Sequence, residues 1–348
     1  MENKLVSIIM PTFNGSVYIE KCIETVLAQT YKNFELIIID DGSTDNTLSV
    51  CNSYAQKDNR ITVIKTDNCG VSSARNAGIS AAGGEYVTFV DDDDYLENAL
   101  IEKYVEAFSE WKDKAAFVTV GIVMQNEFNR NVEDKNLILE SGYGYLLGEN
   151  YLLNRSVAST LAWLKLFNFV TNKCYRLSKI IDKNIKFDSN VNVGEDLKFN
   201  LDYLLIDNGN IGMINIPLYH YVKRKEDGLS LKYHEDNLKN TKEIYRYFIE
   251  WESKQKGTTE DNILVLKSMY IYDWTNRLTS EYTEHKGDRD LSLVRKKLNR
   301  EIRSKEFRTM LKEVHKAKKI SFVRYMCLRT GIYDIFYFAR IIYMLPKG

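Results

Sequence analysis

The chain has 348 residues, 44% of them apolar and 28% charged, with 48 Lys and Arg balanced by 48 Asp and Glu. That length fits one large domain with a smaller one, and the apolar share is ample for a core, so disordered, collagen-like and disulfide-scaffold classes are excluded. The charge is unevenly placed: from Asp288 to Gly348, 16 Lys or Arg stand against 6 Asp or Glu, which points to an acidic partner there, a membrane surface or nucleic acid.

The N-terminal part alternates strand and helix signals. Leu5–Met10, Phe34–Ile39, Ile61–Ile64 and Tyr86–Val90 are short β-branched runs, separated by amphipathic segments over Val17–Gln29, Thr44–Gln56 and Ser72–Ala82. This βαβαβαβ order predicts an α/β, Rossmann-like, mainly parallel sheet flanked by helices. Ligands of such sheets bind beyond the carboxyl ends of the strands, where Pro11–Asn14, Asp40-Asp41, Thr66–Asn68 and Asp91–Asp94 all fall.

Each cluster has a chemical reading and a plain one. Four carboxylates in a row, Asp91-Asp92-Asp93-Asp94, concentrate negative charge at one sheet edge and suit Mg²⁺ or Mn²⁺, although Asp runs also occur as solvated loops. Phe13 either stacks on a base or packs. Asp40-Asp41-Gly42-Ser43-Thr44-Asp45 reads as a turn with Ser43 or Thr44 as helix N-cap, leaving Asp41 free to accept from a ligand NH. Gly70 to Gly78 opens a helix whose N-terminal amides and Arg75 suit phosphate, and a surface Arg explains Arg75 equally well. No G-x-G-x-x-G follows the first strand and no G-x-x-x-x-G-K-S/T is present, which disfavours dinucleotide and P-loop sites.

Together Val6–Asn14, Ile23–Tyr31, Phe34–Asp45, Ala74–Gly78 and Phe89–Tyr95 resemble glycosyltransferase family 2, with its GT-A fold and D-x-D metal motif. The resemblance implies that Pro11 and Phe13 shape a uracil site, that Asp41 bonds the ring NH and that Arg75 lies near the diphosphate. It places Asp91 and Asp92 at the ribose and Asp93, with Asp91, at a Mn²⁺ or Mg²⁺ ion. The usual motif has a small residue where Asp92 stands. Further on, Asn172–Arg176 and Phe187–Phe199 resemble the family's second half, which implies Asp196 as catalytic base. Without that context, Glu195-Asp196 reads as first-turn acids favoured by the helix dipole. Tyr219–Ser230 resembles a basic, aromatic segment that closes over the donor, with Arg224 on the diphosphate and His220 either a metal or phosphate contact or a packed residue.

The implied activity is inverting transfer from a UDP-sugar to a saccharide hydroxyl, in bacterial capsule, O-antigen or exopolysaccharide assembly on a lipid-linked acceptor. Rival readings are a protein glycosyltransferase, a non-catalytic nucleotide-sugar-binding module, a metal-dependent phosphohydrolase and a sugar nucleotidylyltransferase. The last two want an acidic nucleophile or a glycine-rich basic loop after the first strand, where Pro11-Thr12-Phe13-Asn14 stands.

The expected organisation is a GT-A domain over 1–231, with halves 1–100 and 101–231, followed by a basic helical region over 232–348. Helical periodicity there runs over Tyr233–Lys254, Thr259–Glu284, Leu291–Lys316 and Ile320–Leu345, the last following the basic Lys312–Lys319. An anionic membrane surface is the expected partner of that region and no nucleic acid is expected; a packed terminal helix or dimer contact is the alternative. The five cysteines, Cys22, Cys51, Cys69, Cys174 and Cys327, include no C-x-x-C pair and read as reduced thiols. With no signal-peptide core and no long apolar stretch, the expected location is the cytoplasm, peripheral on the inner face of the membrane.

Overall fold

A computed structural model of the chain describes residues 3–127, 134–139, 145–191, 193–224, 236–284 and 291–331, without the side chains of 278–284, 291–295 and 297. They fall into two compact units, Met1–Val191 with Glu195–Glu226, and Asn192–Gly194 with Asp227–Gly348.

The first unit begins with β1 (Val6–Thr12), α1 (Ile19–Leu27), β2 (Phe34–Asp40), α2 (Thr47–Ala55), β3 (Ile61–Lys65), α3 (Val71–Ala81) and β4 (Tyr86–Phe89). β1 and β4 are buried at every residue and β2 at all but one, as strands covered on both faces must be. β1 pairs in parallel with β2 on one side and β4 on the other, and β2 with β3. The chain therefore winds away from β1 through β2 and β3, and α3 carries it back to β4. That reversal opens a crevice beyond the ends of β1 and β4. α3 lies close on the sheet because Gly78 faces Ile9: a Cβ there would come within 2.4 Å of Ile9 Cγ2.

The rest of the unit adds β5 (Tyr95–Leu96), α4 (Leu100–Trp111), β6 (Ala115–Asn126), β7 (Lys135–Leu137), β8 (Asn150–Leu153), α5 (Ala158–Trp163), β9 (Lys173–Arg176), α6 (Leu177–Asp182), α7 (Glu195–Ile206) and β10 (Asn210–Lys223). The main strand order is β3-β2-β1-β4-β9-β6-β10-β5, with β7 on β6 and β8 on β10. The parallel half is as the sequence predicts. β9 then enters antiparallel between β4 and β6, so the ten-stranded sheet as a whole is mixed. β10 runs parallel to β6, slips register around Pro217, which has no N–H to give the ladder, and meets the two-residue β5 antiparallel.

The second unit holds α8 (Asn237–Ser253), α9 (Glu260–Glu284), α10 (Leu291–Ile302), α11 (Lys305–Lys316) and α12 (Phe322–Thr330). The single segment expected over Leu291–Lys316 is two helices, because Ser304 leaves the helical conformation and its hydroxyl accepts from Phe307 N to cap α11. Trp274 and Phe307 meet at 5.2 Å in the core of this unit. Of the last expected segment, Ile320–Leu345, residues 332–348 lie outside the described residues.

Candidate active site

The loops after β1 and β2 are tied together before any ligand is considered. Asn14, at φ +54°, donates its amide to Ser43 Oγ at 2.9 Å and accepts from Thr44 N at 2.8 Å. Ser16 donates its hydroxyl to Asp45 at 2.7 Å. Ser43 and Thr44 thus hold the neighbouring loop instead of capping α2; the N-cap position is Asn46, whose side chain makes no cap bond, and Asp45 just before it accepts from Thr47 N at 3.0 Å. Desolvation pushes the Asp45 carboxyl up, but the Thr47 and Ser16 bonds together outweigh it and hold it down at about 2. This brace leaves Pro11 buried within β1 opposite Ile39 and Phe13 46% exposed just beyond it.

Asp41 is buried and builds the loop that leads into α3. Its carboxylate accepts from Thr66 Oγ1 and Cys69 N at 2.9 Å each and from Gly70 N at 2.7 Å. Gly70 sits at φ +86°, where only glycine is at ease. Three of roughly four lone-pair sites of the carboxylate are used, leaving about one for a ligand NH. Of the Gly70–Gly78 amides expected at a phosphate, that of Gly70 is spent on Asp41.

The four aspartates after β4 have four different environments. Asp91 accepts from Arg75 Nη2 at 2.9 Å. Asp92 accepts from the Thr12 hydroxyl of β1, and Gly15 lies against the same oxygen, where any Cβ would collide. Burial, opposed by Thr12 and reinforced by Asp93 and Asp91, pushes Asp92 up to about 7. Asp93 projects furthest, its side chain 45% exposed and 3.6 Å from Arg224 Nη1. Burial and Asp91 push Asp93 up to about 6 against the pull of Arg224. Asp94 is fully enclosed, accepting from Tyr219 Oη at 2.6 Å and Val222 N at 2.8 Å. Burial and the neighbouring aspartates raise it well above the usual carboxylate range. It is a strut between the aspartate loop and β10.

Arg75 connects this loop to α7. Its side chain is 4% exposed; Nη1 lies 2.7 Å from Asp196 Oδ1 and 3.9 Å from Glu195 Oε1. The other Asp196 oxygen accepts from Val170 N at 3.1 Å. Val170 belongs to a turn held from beneath by Lys173, whose buried ammonium donates to the carbonyls of Leu166 at 2.8 Å and Phe169 at 2.5 Å. Burial and Asp196 push Glu195 up to about 7 against Arg75. Asp196 is also raised, by burial against the opposing pull of Arg75. A carboxylate placed so titrates closer to neutrality than a free one, which suits proton transfer.

The last two expected residues lie on β10 and just past it. Arg224 donates to the Asp93 carbonyl, pairs with Glu127 at 3.1 Å and lies 4.5 Å over the Tyr18 ring. His220 has another partner than the aspartates: Nε2 sits 2.7 Å from Glu97 Oε1 and the ring stacks on Tyr95 at 4.6 Å. Thr12, Glu97, Glu127, Glu195 and Tyr219 carry contacts that sequence reasoning missed. Of these Thr12, Tyr219 and Glu195 lay in segments the sequence singled out, Glu195 beside the expected base, whereas Glu97 and Glu127 had no signal.

The aspartate loop was tested for a divalent cation by its chemistry. Among the described residues no three His, Cys, Asp or Glu side chains converge as a complete protein cage. Mg²⁺ and Mn²⁺ at phosphate-transfer sites need only one or two carboxylates, the phosphate oxygens completing the shell. Asp93, half-exposed and repelled by Asp91, fits that role with Asp91; the enclosed Asp94 does not.

With this geometry in view, the chain was compared with known proteins. A family model described as glycosyl transferase family 2 matches residues 7–180. Glycosyltransferase GlyG of Streptococcus pneumoniae is 31% identical over 232 residues, 64% of this chain and 72% of that one. The minor teichoic acid biosynthesis protein GgaB of Bacillus subtilis is 31% identical over 230 residues, which is 64% of this chain and only 23% of that longer protein. Among solved structures, S. aureus TarS 1–349 in complex with UDP-GlcNAc aligns with a TM-score of 0.61 at 21% identity, covering 94% of this chain and 91% of that one. A Pyrobaculum calidifontis mannosyltransferase, PcManGT, in complex with GDP-Man and Mn²⁺, aligns at 0.52 and 13% identity, covering 99% and 88%.

Proposed function

The chain belongs to glycosyl transferase family 2, and from that membership and the site's geometry we propose that it transfers a sugar from UDP to a saccharide hydroxyl with inversion at the anomeric carbon. Phe13 stacks on the uracil beside Pro11. The remaining acceptor capacity of Asp41 takes the ring NH. Asp91 and Asp92 border the ribose, and Arg224 closes on the diphosphate. Asp91 and Asp93 would hold a Mn²⁺ or Mg²⁺ ion, which would supply positive charge against the leaving diphosphate.

Asp196 is the base: it takes the proton from the acceptor hydroxyl as that oxygen attacks opposite the leaving group. The observation that carries this reading is the span of Arg75, one buried guanidinium bonded to Asp91 on the donor side and to Asp196 on the acceptor side. That fork sets the separation of the two halves of the reaction. The name of GgaB, a minor teichoic acid biosynthesis protein, and the UDP-GlcNAc complex of TarS support a UDP-sugar donor and a bacterial surface-polysaccharide acceptor.

Thermal unfolding with UDP, with and without Mn²⁺, tests the donor site. A ligand at 100 times its dissociation constant adds about 2.7 kcal/mol to stability. Asp196→Asn is expected to keep that shift and to lose transfer about 10²- to 10⁴-fold. Near-normal turnover in this variant removes Asp196 from the role; absence of any UDP or Mn²⁺ effect removes the donor assignment.

A further inference from the structure

One face of α11 carries Lys305, Arg308, Lys312 and Lys316, all exposed and spaced three or four residues apart, so they form a single stripe. The opposite face, Phe307, Met310, Leu311 and Val314, is buried. The two acids of this helix are turned to other partners. Glu306 pairs with Arg246 at 2.9 Å and Glu313 with Lys267 at 2.7 Å. Among the described residues, none of the four stripe cations has an ion-pair partner, and exposed Lys318 extends the row.

Beside the stripe's C-terminal end stands an apolar tip. His315 stacks on Tyr325 of α12 at 3.9 Å and lies 6.0 Å from the Phe322 ring. On the first two turns of α12 Phe322 is 65% exposed, Val323 64% and Met326 37%. Cations alone would suit any polyanion. Three neighbouring exposed apolar side chains gain nothing from a soluble one; they gain from hydrocarbon, as interfacial helices do. A second copy of this chain is disfavoured, since a two-fold contact would set like charges against each other. No helix among the described residues is long and apolar enough to cross a membrane, so the contact is a surface one.

We propose that the basic stripe of α11 and the Phe322-Val323-Met326 tip of α12 together dock the protein on an anionic phospholipid surface. The stripe meets the headgroups and the tip enters the acyl boundary. This stands independently of the sugar-transfer reading.

The test is co-sedimentation of the full chain with vesicles of phosphatidylcholine, alone or mixed with phosphatidylglycerol. The expected result is binding to the mixed vesicles only, weakened by salt. Each cation is worth about fivefold in partition, so joint replacement Lys305→Gln, Arg308→Gln, Lys312→Gln and Lys316→Gln is expected to lower it by two orders of magnitude or more. Phe322→Ser with Val323→Ser lowers it with all charges kept. These side chains are exposed, so an unchanged unfolding midpoint certifies the fold. Undiminished binding by the neutralised variant overturns the proposal. So does equal binding to soluble polyphosphate that is indifferent to Phe322→Ser, or self-association that Phe322→Ser abolishes.

Discussion

Replacing Arg75 by Met removes the one cation that touches the expected base, and the consequence is a displaced pH profile. Asp196 faces Arg75 from α3, Asp91 from the β4 loop, Lys173 from β9 and Glu195 from its own helix. Only Arg75 is bonded to it, and burial pushes the Lys173 amine well down from its ordinary value. A unit pair near 4 Å at an effective dielectric of about 20 is worth about 4 kcal/mol, or about three pKa units, and adjacent Arg–Asp pairs show about one to three. Burial remains after the substitution and keeps pushing the carboxyl up. The base works deprotonated, so activity rises with pH through the titration of the Glu195–Asp196 pair, which lies near 7 for Glu195 and belongs to the pair as a unit. In Arg75→Met that limb moves up by about one to three units. On the acid side of that limb turnover falls about 10- to 1000-fold, and it recovers as pH is raised. The assay is UDP release at saturating donor and acceptor from acid to alkaline pH, alongside Arg75→Lys, which keeps the charge without the fork. A loss that stays constant across the whole pH range would refute the reasoning, since it would mean that Arg75 does not set the base's charge.

Three further outcomes follow from the same geometry. Glu195 is raised in the fold to about 7 from 4.5, so its contribution is intact below pH 4.5 and is lost as pH rises through 7; Glu195→Gln should stabilise by about 2–3 kcal/mol at pH 8 and far less at pH 5, read by chemical denaturation at both. Equal effects at the two pH values would reject this. Tyr219→Phe takes a hydrogen bond from enclosed Asp94 and should cost about 1.5–3 kcal/mol of unfolding free energy; a change under half that would mean Asp94 is not a strut. Gly78→Ala in a free helix gains about 1 kcal/mol, but a Cβ 2.4 Å from Ile9 overpacks at a cost of about 1–3 kcal/mol, so the variant should melt lower, not higher.

The parts of this molecule that were legible in the sequence are those whose cause is local. The runs of β1, β2 and β4 read as strands because a strand buried on both faces is largely apolar. Their polar ends read as a site because loops after parallel strands share one sheet edge. What stayed hidden depends on partners distant in the chain. β9, Lys-Cys-Tyr-Arg, looks like a poor strand for a sheet centre. It fits because Lys173 folds its ammonium back onto the Leu166 and Phe169 carbonyls and Arg176 reaches the Ala115 carbonyl at 2.6 Å. His220 could not be given to Glu97 without the β5–β10 pairing that brings residues 123 apart together.

The aspartate run shows why the difference matters for function. Four identical letters become one strut, one tie to β1, one anchor for Arg75 and one outward carboxylate, and neighbours alone separate them: Tyr219 and Val222 for Asp94, Thr12 for Asp92, Arg75 for Asp91 and Arg224 for Asp93. Packing four carboxylates this closely raises the cost of keeping them all ionised. The loop answers by enclosing one, hydrogen-bonding another and setting Arg75 against the third, which leaves Asp93 facing outward with Arg224 Nη1 at 3.6 Å. For the proposed cation and its anionic ligand that asymmetry is what counts: Asp91 is hydrogen-bonded to its arginine, whereas Arg224 stands beyond hydrogen-bond distance of the Asp93 carboxylate, so Asp93 is the carboxylate placed to turn to an ion.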